Sequence, residues 1–184
     1  MNIIKTPIEG LLVLQTNIFN DERGYFFESW SEKAFKNIGL DVDFVQDNES
    51  SSKAGVLRGL HFQAPPFSQG KLVRVIKGKV LDVAVDIRKQ SKTYGKYFSI
   101  ELTESDNNLF WIPPGFAHGF LSLEDDTIFC YKCTSGYNKD SEGCLLWNDE
   151  DINIDWHFKN PIVSDKDQSG MSFSNFNTPF SNEL

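Results

Sequence analysis

The stretch Lys71-Leu72-Val73-Arg74-Val75-Ile76-Lys77-Gly78-Lys79-Val80-Leu81-Asp82-Val83-Ala84-Val85-Asp86-Ile87 decides the fold class. It is rich in valine, and its polarity alternates with period two rather than 3.6, so it reads as strand, turn and strand. Residues 71–76 form the first strand, Lys77-Gly78-Lys79 turn the chain, and Val80 to Ile87 return as the second arm of a hairpin. On that second arm Leu81, Val83, Val85 and Ile87 share one face, and Asp82, Ala84 and Asp86 share the other. Spacing alone leaves two readings of the acidic face: a sheet surface in water, or a wet barrel interior in which Asp82 orients an imidazole.

The same texture extends along the chain. Residues 24–28, 97–102 and 108–112 are further strands. Pro113-Pro114-Gly115 is a tight turn, and residues 117–123 and 127–133 are expected to pair as another hairpin. The best helix signal covers residues 29–38, with Ser29 and Glu32 as a capping box and Gly39 as the stop. Many short strands with few helices among them mean an all-β sandwich or barrel. No repeat or linker divides the chain, so residues 1–184 are expected to form one domain. Residues 169–184, rich in Ser, Asn and Phe without periodicity, are expected to be an irregular C-terminal tail or a strap over the surface.

A chain of 184 residues can bury a substantial core. Its net charge of -8 opposes general binding to nucleic acid or anionic membranes, because a polyanion is repelled by an acidic surface. A small anion held by a local cluster of Arg and Lys is not excluded. No stretch is long and apolar enough to span a bilayer, and the first residues lack the apolar core of a secretory signal. The cysteines Cys130, Cys133 and Cys144 are odd in number and lack framework spacing, which points to free thiols in a reducing cytoplasm.

Histidine is scarce: His61, His118 and His157 are the full set. Either of the first two alone reads most simply as a core imidazole satisfied by a carbonyl. Two in apolar, glycine-flanked strands, each close to an Arg or a Pro-Gly turn, point to a site instead. A metal-binding barrel would present a His-x-His pair, but here that position reads His61-Phe62-Gln63. Two neutral imidazoles do not hold a catalytic metal firmly, so no metal is expected. Cys130 and Cys133 lie three apart in a strand and point to opposite faces, so they do not grip one metal. Arg23, Arg58, Lys71 and Lys166 are each ordinary surface charges when taken singly. Arg58 and Lys71, in strands flanking His61, suggest a positive pocket for a phosphorylated or otherwise anionic substrate.

These residues resemble a known family. Asp21-Glu22-Arg23-Gly24-Tyr25-Phe26-Phe27-Glu28, Phe44-Val45-Gln46-Asp47-Asn48, Val56 through Gln63, Gly70 through Arg74, and Asp82 through Arg88 are landmarks, followed by Trp111 through Phe120, Tyr131 through Thr134, Glu142-Gly143, Trp147-Asn148-Asp149 and Ser164 through Asp167. From Ile3 to about Asp167 the chain resembles the dTDP-4-dehydrorhamnose 3,5-epimerase family, cupin-type jelly-roll enzymes of deoxysugar nucleotide synthesis. The resemblance implies a jelly-roll β-barrel with a few short peripheral helices. It also implies an isomerase that epimerises dTDP-4-dehydro-6-deoxy-α-D-glucose at C3 and C5 on the way to dTDP-L-rhamnose and cell-surface polysaccharide. By resemblance His61 is the base, Asp167 its partner, Lys71 the cation near the enolate oxygen and Tyr131 the opposite-face proton donor. Arg23, Glu28, Gln46, Asp47, Asn48, Arg58, His118, Tyr137, Glu142 and Lys166 match substrate contacts, with Tyr137 stacking on thymine. No cofactor is implied, because the substrate's ketone is the electron sink. A homodimer with an exchanged N-terminal strand, carrying Arg23 and Glu28 to the neighbour, is implied as well. The chain departs from the family's frequent tyrosine pair at Gly136-Tyr137, where one ring remains. The competing expectations are an epimerase acting on one carbon only, a non-catalytic barrel that binds a nucleotide sugar, and a metal-dependent cupin oxygenase.

Overall fold

The computed structural model describes residues 1–180. The described residues form fourteen strands: β1 (Asn2–Lys5), β2 (Leu12–Gln15), β3 (Ile18–Asp21), β4 (Gly24–Phe27), β5 (Gln46–Ser52), β6 (Val56–Gln63), β7 (Lys71–Lys77), β8 (Lys79–Asp86), β9 (Tyr97–Thr103), β10 (Asn108–Ile112), β11 (Phe116–Ser122), β12 (Thr127–Cys133), β13 (Glu142–Cys144) and β14 (Ile162–Val163). Two short helices, α1 (Glu32–Asn37) and α2 (Asp165–Gln168), lie outside the sheets. One large sheet runs β1-β2-β10-β7-β12-β5 and a second runs β13-β6-β11-β8-β9, with β14 added parallel to β6, while β3 and β4 pair as a separate two-stranded sheet. The all-β, jelly-roll expectation therefore holds.

The connections differ from the expected hairpins. β7 lies in the first sheet and β8 in the second, so Gly78 turns a corner between sheets rather than closing a hairpin. Its φ is +82°, and a Cβ there would lie 2.5 Å from Thr127 Oγ1. β11 and β12 do not pair either: β11 lies between β6 and β8, and β12 between β7 and β5. From β5 to β8 every strand crosses to the opposite sheet from its predecessor. Alternation of side chains reports which face is buried but not which strand lies alongside, so sequence adjacency misled both pairings.

The two faces of β8 are both buried, which settles the open reading of its acidic side. Val80 and Ala84 join a core between the sheets with Val13, Val73, Val75, Phe110 and Phe129. Asp82, fully buried beside them, faces that interior and not bulk water. Leu81, Val83, Val85 and Ile87 face outward, where Leu145, Ile152, Trp156 and Phe180 cover them. The C-terminal segment is thus a strap: Phe176 and Phe180 pack edge-on against Phe62 with centroids 5.4 and 6.4 Å away. Residues 181–184 of the expected tail lie outside the described residues.

The helix after β4 starts later than expected. Ser31, not Ser29, is its N-cap and accepts from the Ala34 amide, while Glu32 pairs with Lys36 at 2.6 Å. Gly39 ends it as expected, its amide reaching the Lys36 carbonyl.

Candidate active site

β6 positions the central histidine through an irregularity. Its register against β11 shifts between the pairs His118–His61 and Phe120–Arg58, so three steps on β6 match two on β11. A regular strand would put Arg58 and His61 on opposite faces. The extra residue restores them to the same face, and both line one cavity of about 460 Å³. Leu57 and Leu60, also three apart, correspondingly share the outer core. The bulge closes tightly on β11: at Gly59 (φ +133°) a Cβ would lie 2.5 Å from Gly119 Cα.

His61 Nε2 lies 2.6 Å from Asp167 Oδ1. Asp167 comes from α2, where Ser164 caps the helix by accepting from the Asp167 amide. Its second oxygen accepts from the Gly59 amide at 3.2 Å. Burial acts to raise the Asp167 carboxyl, but the hydrogen bonds from His61 and Gly59 hold it below the usual carboxylate range. A carboxylate there fixes the imidazole with its proton on Nε2, leaving the Nδ1 lone pair for proton transfer.

Lys71 and Tyr131, on the adjacent strands β7 and β12, complete the wall. Lys71 Nζ stands 6.0 Å from the centre of the Tyr131 ring. Burial pushes the Lys71 ammonium below its ordinary range, opposed by charges including Asp82 and Glu142. Burial raises the Tyr131 phenol, which stays protonated at neutral pH. Behind them, Asp82 places both carboxylate oxygens 3.0 Å from His118 Nε2. Burial drives the His118 imidazolium down and Asp82 resists this.

A second lobe of about 260 Å³ shares His61, Lys71 and Tyr131 and opens toward Tyr137. Tyr137 is 59% exposed, and its hydroxyl donates to Glu142 Oε2 at 3.1 Å. Glu142 Oε1 accepts from Lys166 Nζ at 2.6 Å. Gln46 Oε1 accepts from the Tyr137 amide, and Gln46 Nε2 donates to Asn48 Oδ1 at 2.9 Å.

Thus His61, Lys71, Tyr131, Asp167, Arg58, His118 and Lys166 line the larger lobe, and Gln46, Asn48, Tyr137 and Glu142 the smaller. Three expected residues fall elsewhere. Alternation along β5 turns the Asp47 side chain to the outer face, where it pairs with Lys132 at 2.7 Å. Arg23 is on the β3–β4 hairpin, paired with Asp21 at 2.5 Å, and Glu28 just follows that hairpin. Neither lines the cavity of its own chain.

Other residues of the site were missed from sequence. Gln63 was read only as an absent metal ligand. Its amide donates to the Phe67 and Gly136 carbonyls and its oxygen accepts from the Asn138 amide, so it anchors the Tyr137 loop. Ser50 lines the larger lobe with its hydroxyl buried and without a partner among the described residues. Its parity with Gln46 and Asn48 was an available signal. Phe120, two on from His118, had the same kind of signal. Ile162 and Val163 had none, since β14 reaches β6 from over a hundred residues away.

Cys130 and Cys133 sit on opposite faces of β12 as alternation demands: one near Glu49, the other buried and accepting from Asn48. Among the described residues, no helix is long and apolar enough to cross a membrane.

The sequence matches the protein-family model for dTDP-4-dehydrorhamnose 3,5-epimerase over residues 5–175. The dTDP-4-dehydrorhamnose 3,5-epimerase of Shigella flexneri is 51% identical over 174 residues, covering 94% of this chain and 96% of that protein. The crystal structure of the enzyme of that name from Elizabethkingia anophelis NUHP1 has a TM-score of 0.92 at 45% identity, covering 97% of this chain and 99% of that one. The structure of dTDP-6-deoxy-D-glucose-3,5-epimerase from Legionella pneumophila Philadelphia 1, in complex with dTDP-4-keto-L-rhamnose, has a TM-score of 0.94 at 41% identity and covers 100% of this chain and 98% of that one. With the matched model spanning nearly the whole barrel and its cavity, this chain belongs to the dTDP-4-dehydrorhamnose 3,5-epimerase family.

Proposed function

We propose that this protein is an isomerase that converts dTDP-4-dehydro-6-deoxy-α-D-glucose to dTDP-4-dehydro-β-L-rhamnose by epimerisation at C3 and C5. The observation that carries this is the His61–Asp167 pair at 2.6 Å sharing one cavity with Lys71 and Tyr131. The C4 ketone acidifies the C–H bonds on either side. His61 Nδ1 removes a proton while Asp167 stabilises the imidazolium that forms. The electron pair moves onto the C4 oxygen, where Lys71 supplies positive charge to the enolate. Tyr131 returns a proton to the opposite face of the carbon, which inverts it. No organic cofactor or metal enters these steps, since the ketone accepts the electrons.

The smaller lobe suits the nucleotide: Tyr137 presents an exposed ring to thymine, within reach of Gln46, Asn48 and Glu142. Arg58 and Lys166 offer donors to the pyrophosphate, and His118, whose Nε2–H is held by Asp82, offers Nδ1 as an acceptor to a sugar hydroxyl. We infer a homodimer in which the N-terminal strands exchange and bring Arg23 and Glu28 to the partner's site. Supporting this, the β3–β4 hairpin exposes Phe19, Tyr25 and Phe26 by 64%, 59% and 69%. The three free cysteines suit a reducing cytoplasm.

The test is turnover of the dTDP-4-keto sugar in heavy water. Solvent deuterium at both C3 and C5 is expected. Deuterium at C3 alone would mean a one-carbon epimerase, and none at either carbon would leave only a nucleotide-sugar-binding barrel. Light scattering that finds a monomer would remove the dimer.

A further inference from the structure

Antiparallel pairing of β13 with β6 sets Cys144 directly across from His61. Asp167 comes down from α2 onto the same spot. The donor atoms of His61, Cys144 and Asp167 all lie within 4.8 Å of one another. An imidazole nitrogen, a sulfur and one carboxylate oxygen form a set that suits zinc and its soft relatives, while magnesium and calcium prefer oxygen alone.

We propose that His61, Cys144 and Asp167 form an inhibitory binding site for a thiophilic divalent cation, with Zn²⁺ the type case. Tetrahedral zinc holds such donors roughly 3.2–3.6 Å apart. A gap at the 4.8 Å limit would therefore close by about 1.2–1.6 Å, and the 2.6 Å contact of His61 with Asp167 would open by about 0.6–1.0 Å. Three protein ligands leave the fourth position to water.

The binding step balances without any redox partner. The Cys144 S–H bond breaks, its proton goes to solvent, and a sulfur–metal bond forms. At His61 the Nε2–H bond gives way to an Nε2–metal bond, and the single proton of the neutral imidazole then resides on Nδ1. That nitrogen loses the lone pair needed for proton abstraction, and Asp167 is drawn onto the metal. The cation thus competes with the working tautomer rather than assisting it. Without metal the Cys144 thiol is inert: burial, reinforced by the Asp167 charge, pushes it up to about 12. A bound cation would remove that proton outright.

The inhibition rests on the proposed epimerase activity, but the binding does not, so two readouts separate them. Cd²⁺ and Co²⁺ added to the full chain should produce a sulfur-to-metal charge-transfer band. The band should vanish in Cys144→Ser and Cys144→Ala and persist in Cys130→Ser. Zn²⁺ should inhibit turnover at a concentration at least tenfold lower in the unaltered protein than in either Cys144 variant, whose metal-free turnover stays unchanged, and Mg²⁺ should not inhibit. Absence of the band in the unaltered protein, or bands and zinc sensitivity equal across the variants, would overturn the proposal. A Cys144-dependent band in a protein without turnover would uphold the site and remove the epimerase reading.

Discussion

At the scale of single residues, the proposed reaction divides the cavity between groups that would move protons and groups that would hold the nucleotide. Asp167→Asn keeps the shape of the pair but allows the amide to donate to His61 Nε2, which favours the wrong tautomer. Turnover should fall roughly 10²–10⁴-fold, with a small change in KM, and His61→Ala and Tyr131→Phe should behave alike. Tyr137→Ala should instead weaken dTDP binding and raise KM while kcat stays close to normal. Steady-state kinetics with dTDP calorimetry checks this division. Similar kcat losses in all four variants would contradict it.

At the scale of elements, one feature holds the site in place and another secures the end of the strand behind it. The first is the bulge of β6 against β11. Gly59→Ala would force a Cβ to 2.5 Å from Gly119 Cα and 2.9 Å from the His118 carbonyl. We expect a loss of about 1–3 kcal/mol in thermal or urea unfolding, together with lost turnover, because Arg58 and His61 depend on that bulge for their common face. Gly136→Ala, where nothing lies within 4 Å, should change stability by less than about 0.5 kcal/mol. The second is the end of β8, where Asp86 accepts from Arg88, Ser91 and Thr93. Burial acts to raise its carboxyl, but these donors hold it below the ordinary value. The folded chain therefore binds this proton less readily than the unfolded one, so the contribution is full above the ordinary value near 3.9 and fades as pH falls below it. Asp86→Asn should cost about 2 kcal/mol in urea unfolding at pH 7, and the gap to the unaltered protein should narrow at pH 3.

At the scale of the whole molecule, the second sheet is covered by the C-terminal strap and not by water. Phe180 is almost fully buried among the outward side chains of β6 and β8. Phe180→Ala should cost about 3–5 kcal/mol, read as a drop in melting temperature. Turnover of the protein that remains folded should be near normal, since the strap lies on the far side of the sheet from the cavity. If that change leaves the melting temperature alone, the strap is peripheral to stability.

The all-β class, strands β4 and β7 to β12, and the two-faced alternation of β8 were legible in the sequence because alternation is a local property of the chain, whereas β1, β2, β3, β5, β13 and β14 were not. Of the candidate site residues, His61 and Lys71 stood out in the sequence itself, as a scarce histidine in a glycine-flanked strand and a basic residue beside it, whereas Tyr131 and Asp167 were reachable only through resemblance, since nothing local links positions 61 and 167. Sequence adjacency mispaired β7 with β8 and β11 with β12, because at both places the chain crosses from one sheet to the other. The alternation rule also leaves Arg58 and His61 on opposite faces until the bulge is known. Whether Asp82 faced water or the interior, and that Cys144 stands opposite His61, depended on which strands lie side by side. Local sequence determines the period and the face of each strand; partner and register are long-range, and only the packing of both sheets around one core decides them.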